Sequence, residues 1–201
     1  MHISEGILSG PVLATGAVFA VTGTVMGLKK MDYDHIVHVA ILSSAFFVAS
    51  LIHVNIGPSS VHLILNGIVG LLLGFAAVPA ILTALFLQSV FFQYGGLTAL
   101  GVNTVVMAFP AVAVHYLFLP LLGKSKTLTF VGGFLAGMTA IILSGLLLGC
   151  ALWFTDKNFL QTIVTILTAH IPVMIIEGIV TGFCASFLLK VYPEIIPVKK
   201  K

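Results

Sequence analysis

The chain has 201 residues, of which 59% are hydrophobic and only 7% charged, and its mean hydropathy is +1.20. That composition excludes an ordinary soluble domain and describes an all-α polytopic membrane protein whose main solvent is lipid. All nine basic residues are lysines, most beside apolar runs, so the net charge of +3 speaks for membrane orientation and against nucleic acid. Cys150 and Cys184 lie inside apolar runs and give no disulfide framework.

The first ten residues, Met1 to Gly10, read as a metal-chelating segment. The terminal amine of Met1, the amide nitrogen of His2 and the His2 ring are joined by short covalent links, so they can close two fused chelate rings around one ion. A deprotonated amide is a strong-field donor in a flat arrangement, and such nitrogen sets suit Ni(II) or Cu(II) better than tetrahedral zinc. The competing reading is an ordinary exposed chain end. No basic n-region or small-residue cleavage site precedes the first apolar run, so Met1 is expected to remain the terminus.

Apolar runs approaching bilayer length then follow one another. Seven are expected: Leu8 to Leu28, Ile36 to Val54, Pro58 to Phe75, Val78 to Phe92, Asn103 to Leu122, Leu128 to Phe154 and Phe159 to Val191. They form one transmembrane domain over residues 1–201, a single bundle of about seven helices. The glycine-broken stretch from Gln93 to Gly101 is apolar yet non-helical, and is expected to dip into the protein. With seven spans, Lys29, Lys30, Lys124, Lys126, Lys190 and Lys199 to Lys201 share one side, and only Lys157 falls on the other. The positive-inside rule makes that side cytoplasmic, with the amino terminus outside and the carboxyl terminus inside a cell membrane.

This topology puts His2 and the loop from His53 to Leu63 on the same outer side. Gly57-Pro58 reads as a helix start, which sets His62 about one turn into the third span as the candidate fourth nitrogen. Asn66, at i+4, is then placed to orient the His62 ring. The competing reading of His62 is a core histidine bonded to a carbonyl. Gln93 and Asn103 flank the glycine-rich loop and are expected to lock it over the metal pocket. Glu177 is the acidic residue placed deep in a span, where an ionised carboxylate is costly, so it is expected to have a partner or be protonated. His170 lies seven residues earlier with Pro172 between, so the two form either a polar network that steadies the metal loop or a structural helix-to-helix bond. His115 reads as core, and His35 and His38 as interfacial. Small-residue stripes at Gly16, Ala20 and Thr24 and at Gly133 and Gly137 offer close-packing faces, within the bundle or toward a partner.

Taken together, Met1-His2-Ile3 with Glu5-Gly6, Gly57-Pro58-Ser59-Ser60-Val61-His62-Leu63, the stretch from Phe92 to Asn103, and His170 with Glu177-Gly178-Ile179-Val180-Thr181 resemble the CbiM/NikM family. Its members are the substrate-binding membrane subunits of energy-coupling-factor cobalt and nickel importers. The resemblance implies a seven-helix bundle with its amino terminus drawn inward, where Met1, His2 and a histidine matching His62 hold Co2+ or Ni2+ as substrate, with no organic cofactor. The chain departs from the family pattern at Tyr94 and along 66–75, positions that are not proposed ligands.

The chain carries no glycine-rich loop ending in Lys-Ser or Lys-Thr, so it is not expected to hydrolyse ATP itself. The resemblance implies partners: a transmembrane coupling subunit, a pair of ATPases and often a small accessory membrane protein. Two other readings stand beside it. A proton-coupled carrier would use His170 and Glu177 as its relay, and an intramembrane metalloenzyme would need a His-Glu-x-x-His helix, which the sequence lacks.

Overall fold

A computed structural model describes residues 2–51, 53–56 and 59–195, with backbone alone over 53–56, 59–62 and 195. Helix dominates. The elements are α1 (Gly10–Lys30), α2 (Ile36–Ala49), a hairpin of β1 (His53–Ile56) and β2 (Ser59–His62), α3 (Asn66–Leu73), α4 (Ala77–Phe92), α5 (Leu100–Phe118), α6 (Lys126–Thr155), α7 (Leu160–Ala169) and α8 (Ile171–Val191). Five stretches have the length and apolar composition to cross a membrane: Gly10–Lys30, Asn66–Phe92, Leu100–Leu121, Lys126–Thr155 and Lys157–Val191. A shorter apolar helix covers Tyr33–Ala49.

Local chemistry explains the boundaries. Pro11 stands in the first turn of α1 and Lys29 and Lys30 in its last, where a cation meets the negative end of the helix dipole. Lys30 also lies 3.8 Å over the Phe75 ring. Ser125 caps α6 by accepting from the Leu128 N–H at 3.1 Å. Gly74, at φ +53°, breaks the apolar run between α3 and α4 with a backbone that other residues rarely adopt.

One expected boundary is corrected. His62 lies on β2 and α3 begins only at Asn66, so the helix predicted from Pro58 does not include it, and residues 57 and 58 lie outside the described residues. The register pairs His53 with His62 and Ile56 with Ser59. The physical reason is Leu65, whose left-handed backbone (φ +59°) turns the chain just ahead of α3.

Helix α3 is the axis of the bundle. Every residue from Asn66 to Leu72 is buried, between α5 and α6 with α8 beside them. The small-residue stripes pack inside the bundle. A Cβ on Gly16 would strike Val102 and one on Gly23 would lie 2.9 Å from the Phe109 ring, so α1 and α5 run parallel. A Cβ on Gly133 would lie 2.9 Å from Gly182 Cα and one on Gly137 2.5 Å from the Glu177 carbonyl, so α6 and α8 run antiparallel. Large apolar side chains cover the outside, among them Phe19, Phe91, Phe154, Phe183 and Phe187, as lipid contact requires.

Candidate metal site

The amino-terminal segment enters the protein. His2 is 6% exposed and Ile3 fully buried, although chain ends ordinarily lie in solvent. Asn103, in the first turn of α5, clamps Ile3 at two points. Its Oδ1 accepts from the Ile3 N–H at 2.8 Å and its Nδ2 donates to the Ile3 carbonyl at 3.1 Å. Farther along, the Ser9 N–H donates to Thr155 Oγ1 at 3.3 Å, so both ends of the segment are tied to helices.

Gln88 fixes the His2 ring. This buried side chain on α4 donates its Nε2 to the Phe47 carbonyl at 3.0 Å and to Ser50 Oγ. Phe47 belongs to the last turn of α2, where carbonyls lack helical partners, so the bond also closes that helix end. A carbonyl only accepts, so the amide nitrogen of Gln88 must face Phe47 and its oxygen must face His2. Oε1 lies 2.9 Å from His2 Nε2. The neutral His2 ring therefore carries its proton on Nε2 and its lone pair on Nδ1. Nδ1 is also the ring nitrogen that closes a six-membered chelate with the residue's own amide nitrogen.

The glycine-rich loop packs against this segment. Gly95 and Gly96 have φ of +75° and +85°. A Cβ on Gly95 would sit 2.7 Å from Asn103 Nδ2, and one on Gly96 2.7 Å from Glu5 Cβ. Glu5 Oε1 accepts from the Thr98 N–H at 3.3 Å, and the Tyr94 ring stands 6.3 Å from the His2 ring between centroids. Gln93, expected to lock the loop, is exposed at the C-cap of α4 with φ +58°. Gln88 reaches the site instead.

The other expected residues take different places. Met1 lies outside the described residues, and so does the side chain of His62. Asn66 is fully buried but donates to the Met107 carbonyl at 3.1 Å and to Ser144 Oγ at 3.0 Å, joining α3 to α5 and α6. Because residue 62 is on a strand, the i+4 helical relation assumed for Asn66 does not exist. His170 and Glu177 form no direct bond. His170 Nδ1 donates to the Ile166 carbonyl at 2.7 Å at the α7–α8 junction, and Pro172 stands in the first turn of α8, not in its interior. Glu177 Oε1 accepts instead from the N–H groups of Ile64 and Leu65. Among the described residues, no three His, Cys, Asp or Glu gather into a metal cluster. Gln88, Ser50 and the Phe47 carbonyl are the partners that sequence reasoning missed. The signal was a lone glutamine inside the apolar run of α4.

The opposite end of the bundle holds a cavity of about 460 Å3 lined by Lys30, Asp32, His35, His38, His115 and Glu194 among others. Here His35 Nδ1 meets Asp32 Oδ2 at 2.9 Å, and that bond holds the Asp32 carboxyl below the usual carboxylate range. His115 Nδ1 donates to the Gly70 and Leu71 carbonyls at 3.1 Å, as a core histidine does.

Comparison with known proteins places this architecture. Residues 2–195 match the family described as the cobalt uptake substrate-specific transmembrane region, CbiM. A putative metal transport protein of Haemophilus influenzae is 43% identical over 98% of this chain and 97% of its own length. The fused nickel transport protein NikMN of Rhodobacter capsulatus is 38% identical over 54% of this chain and 33% of its own length. A crystal structure of a transition metal transporter superposes with a TM-score of 0.77 at 29% identity, over 95% of this chain and 93% of that one. A match spanning nearly the whole chain, over a helical bundle into which His2 and Ile3 are buried, means that this protein belongs to the CbiM family.

Proposed function

We propose that the chain is the substrate-capture membrane subunit of an ATP-driven importer of Co2+ or Ni2+. The observation that carries the reading is the buried His2 ring, held by Gln88 so that Nδ1 presents its lone pair. The Met1 amine, the His2 amide and Nδ1 then supply three nitrogens in one plane, and His62 supplies the fourth. Four nitrogens in a plane suit Ni(II) and Co(II) and disfavour Zn(II) and Mg(II). Cobalt transport is named for the family and nickel transport for the Rhodobacter relative, which agrees with this donor set.

The chain crosses the cell membrane about seven times, with Met1 outside and Lys201 in the cytoplasm. Helix directions support this count. Helix α1 runs from the His2 end to Lys30, α4 returns from Phe75 beside Lys30 to Gln88 beside His2, and α5 runs parallel to α1. Adding α2, α6, α8 and the run from Ser59 through α3 gives seven crossings, with α7 not counted separately because it shares the apolar stretch Lys157–Val191 with α8. Lys29, Lys30, Lys126 and Lys190 then lie at the end opposite His2, as the positive-inside rule requires for a cytoplasmic face.

Energy comes from partners: a transmembrane coupling subunit, ATPases and a small accessory membrane protein. A multidentate nitrogen chelate favours the closed state that binds it, so release needs a second source of free energy. Reconstitution in liposomes tests this. The chain alone should bind Co2+ or Ni2+ with negligible turnover, and coupling and ATPase subunits should make accumulation ATP-dependent. Nucleotide-free accumulation driven by a proton gradient, and lost in Glu177→Gln, would establish a self-sufficient carrier instead.

A further inference from the structure

Glu177 has no part in the coordination described so far, yet it is fully buried on α8 and reaches 113 residues back along the chain. Its Oε1 accepts from two successive main-chain N–H groups, those of Ile64 and Leu65, the latter at 2.7 Å. These residues are the link between β2, which ends at His62, and α3, which begins at Asn66.

The link is strained. Leu65 has φ +59°, a left-handed backbone that costs an L residue about 1–2 kcal/mol and persists where its surroundings hold it. The post it hangs from does not yield. A Cβ on Gly137 would sit 2.5 Å from the Glu177 carbonyl oxygen, and one on Gly178 2.9 Å from the Phe134 carbonyl oxygen. Helices α6 and α8 therefore touch backbone to backbone at Glu177 and Gly178, so the stretch of α8 that carries the carboxyl is held in place.

The carboxylate is also a costly way to fill this space. Glu177 Oε2 has no hydrogen-bond partner among the described residues. A buried carboxylate satisfied on one oxygen stabilises less than a well-packed apolar side chain of similar volume. What it supplies is one acceptor oxygen on which two N–H groups converge.

We propose that Glu177 is a positioning residue for metal capture: its carboxylate, fixed on α8, sets where β2 ends and so brings His62 into the coordination plane. The inference rests on the reading that His62 is the fourth ligand. Glu177 touches no metal. It acts through the backbone of residues 64 and 65.

The test uses the purified full chain in detergent, titrated with CoCl2 or NiCl2 by calorimetry, with the ligand-field absorption band as second readout. The variants are His62→Ala, Glu177→Ala, Glu177→Gln and the double variant Glu177→Ala with His62→Ala. Loss of His62 should lower affinity on the order of 100-fold and move the band, and Glu177→Ala should lower it about 30-fold with the same band movement. Glu177→Gln, which keeps a neutral acceptor oxygen, should retain the wild-type band with an affinity loss of about fivefold. Because Glu177 acts through His62, the double variant should bind within about twofold of His62→Ala alone. A wild-type band in Glu177→Ala, or losses that multiply in the double variant, overturns the inference. If Glu177→Ala does not fold, Glu177→Gln with and without His62→Ala makes the same comparison, and multiplying losses there overturn it too. An unchanged His62→Ala titration would instead overturn the underlying four-nitrogen reading, and this inference with it.

Discussion

Gln88 Oε1 lies 2.9 Å from His2 Nε2, and that contact decides which nitrogen of the neutral ring carries the proton. The orientation of the amide is set one step away, by the Phe47 carbonyl that accepts from Gln88 Nε2. Replacing Gln88 with Leu removes the acceptor, the end cap of α2 and the choice of tautomer together. Metal affinity should fall about 10- to 100-fold, the range typical for partners that orient a ligating histidine. Gln88→Glu keeps an acceptor for His2 Nε2 but no longer donates to Phe47, so it should retain more affinity than Gln88→Leu. Calorimetric titration of the two variants checks the order, and equal losses would count against the orienting role.

Asn103 should act on the terminus without touching the ion. Asn103→Ala leaves the buried N–H and carbonyl of Ile3 without their side-chain partners, at a cost of about 1–3 kcal/mol for each unsatisfied group. Asn103→Asp keeps the acceptor for Ile3 N–H and sets an oxygen against the Ile3 carbonyl. Both variants should weaken metal binding, and should shift the melting temperature of the metal-loaded protein more than that of the metal-free one. Equal shifts in the two states would mean that the clamp serves the fold and not the site.

Gly96 tests the loop. A side chain there faces φ +85° and would meet Glu5 Cβ at 2.7 Å. Gly96→Ala should cost about 1–3 kcal/mol in loop closure, seen as faster amide hydrogen exchange over residues 2–6 and 94–99 and as faster metal release. Wild-type exchange in both segments would contradict the closure described for this loop.

How much of this was legible in the sequence depends on whether the signal was local. Composition announced the membrane, and the proposal of chelation came from His2 standing beside the terminus, because both signals are local. Asn103 was legible as a polar residue beside a glycine-broken loop. The hairpin was not. Ser59 to His62 followed Gly57-Pro58, a pattern that locally reads as a helix start, whereas the turn that delays α3 is held by Glu177, more than a hundred residues away. Gln93 was singled out for the same reason, and Gln88 went unnoticed. Position beside the loop favoured Gln93, but the direction of α4 turns Gln88 inward and leaves Gln93 exposed. The pairing of His170 with Glu177 failed because the chain breaks at His170, which closes α7 and opens α8.

The central claim is that the ion is held by the terminal amine and first amide of the chain itself. One residue added ahead of Met1 tests it most directly, because it converts the amine into a second amide and moves the free amine out of the chelate while leaving every side chain in place. The extended protein should elute and melt like the wild type in the absence of metal, yet lose tight Co2+ and Ni2+ binding, on the order of 100-fold or more, together with the planar nitrogen ligand-field band. An extended chain that binds Ni2+ with wild-type affinity and an unchanged band would contradict the account.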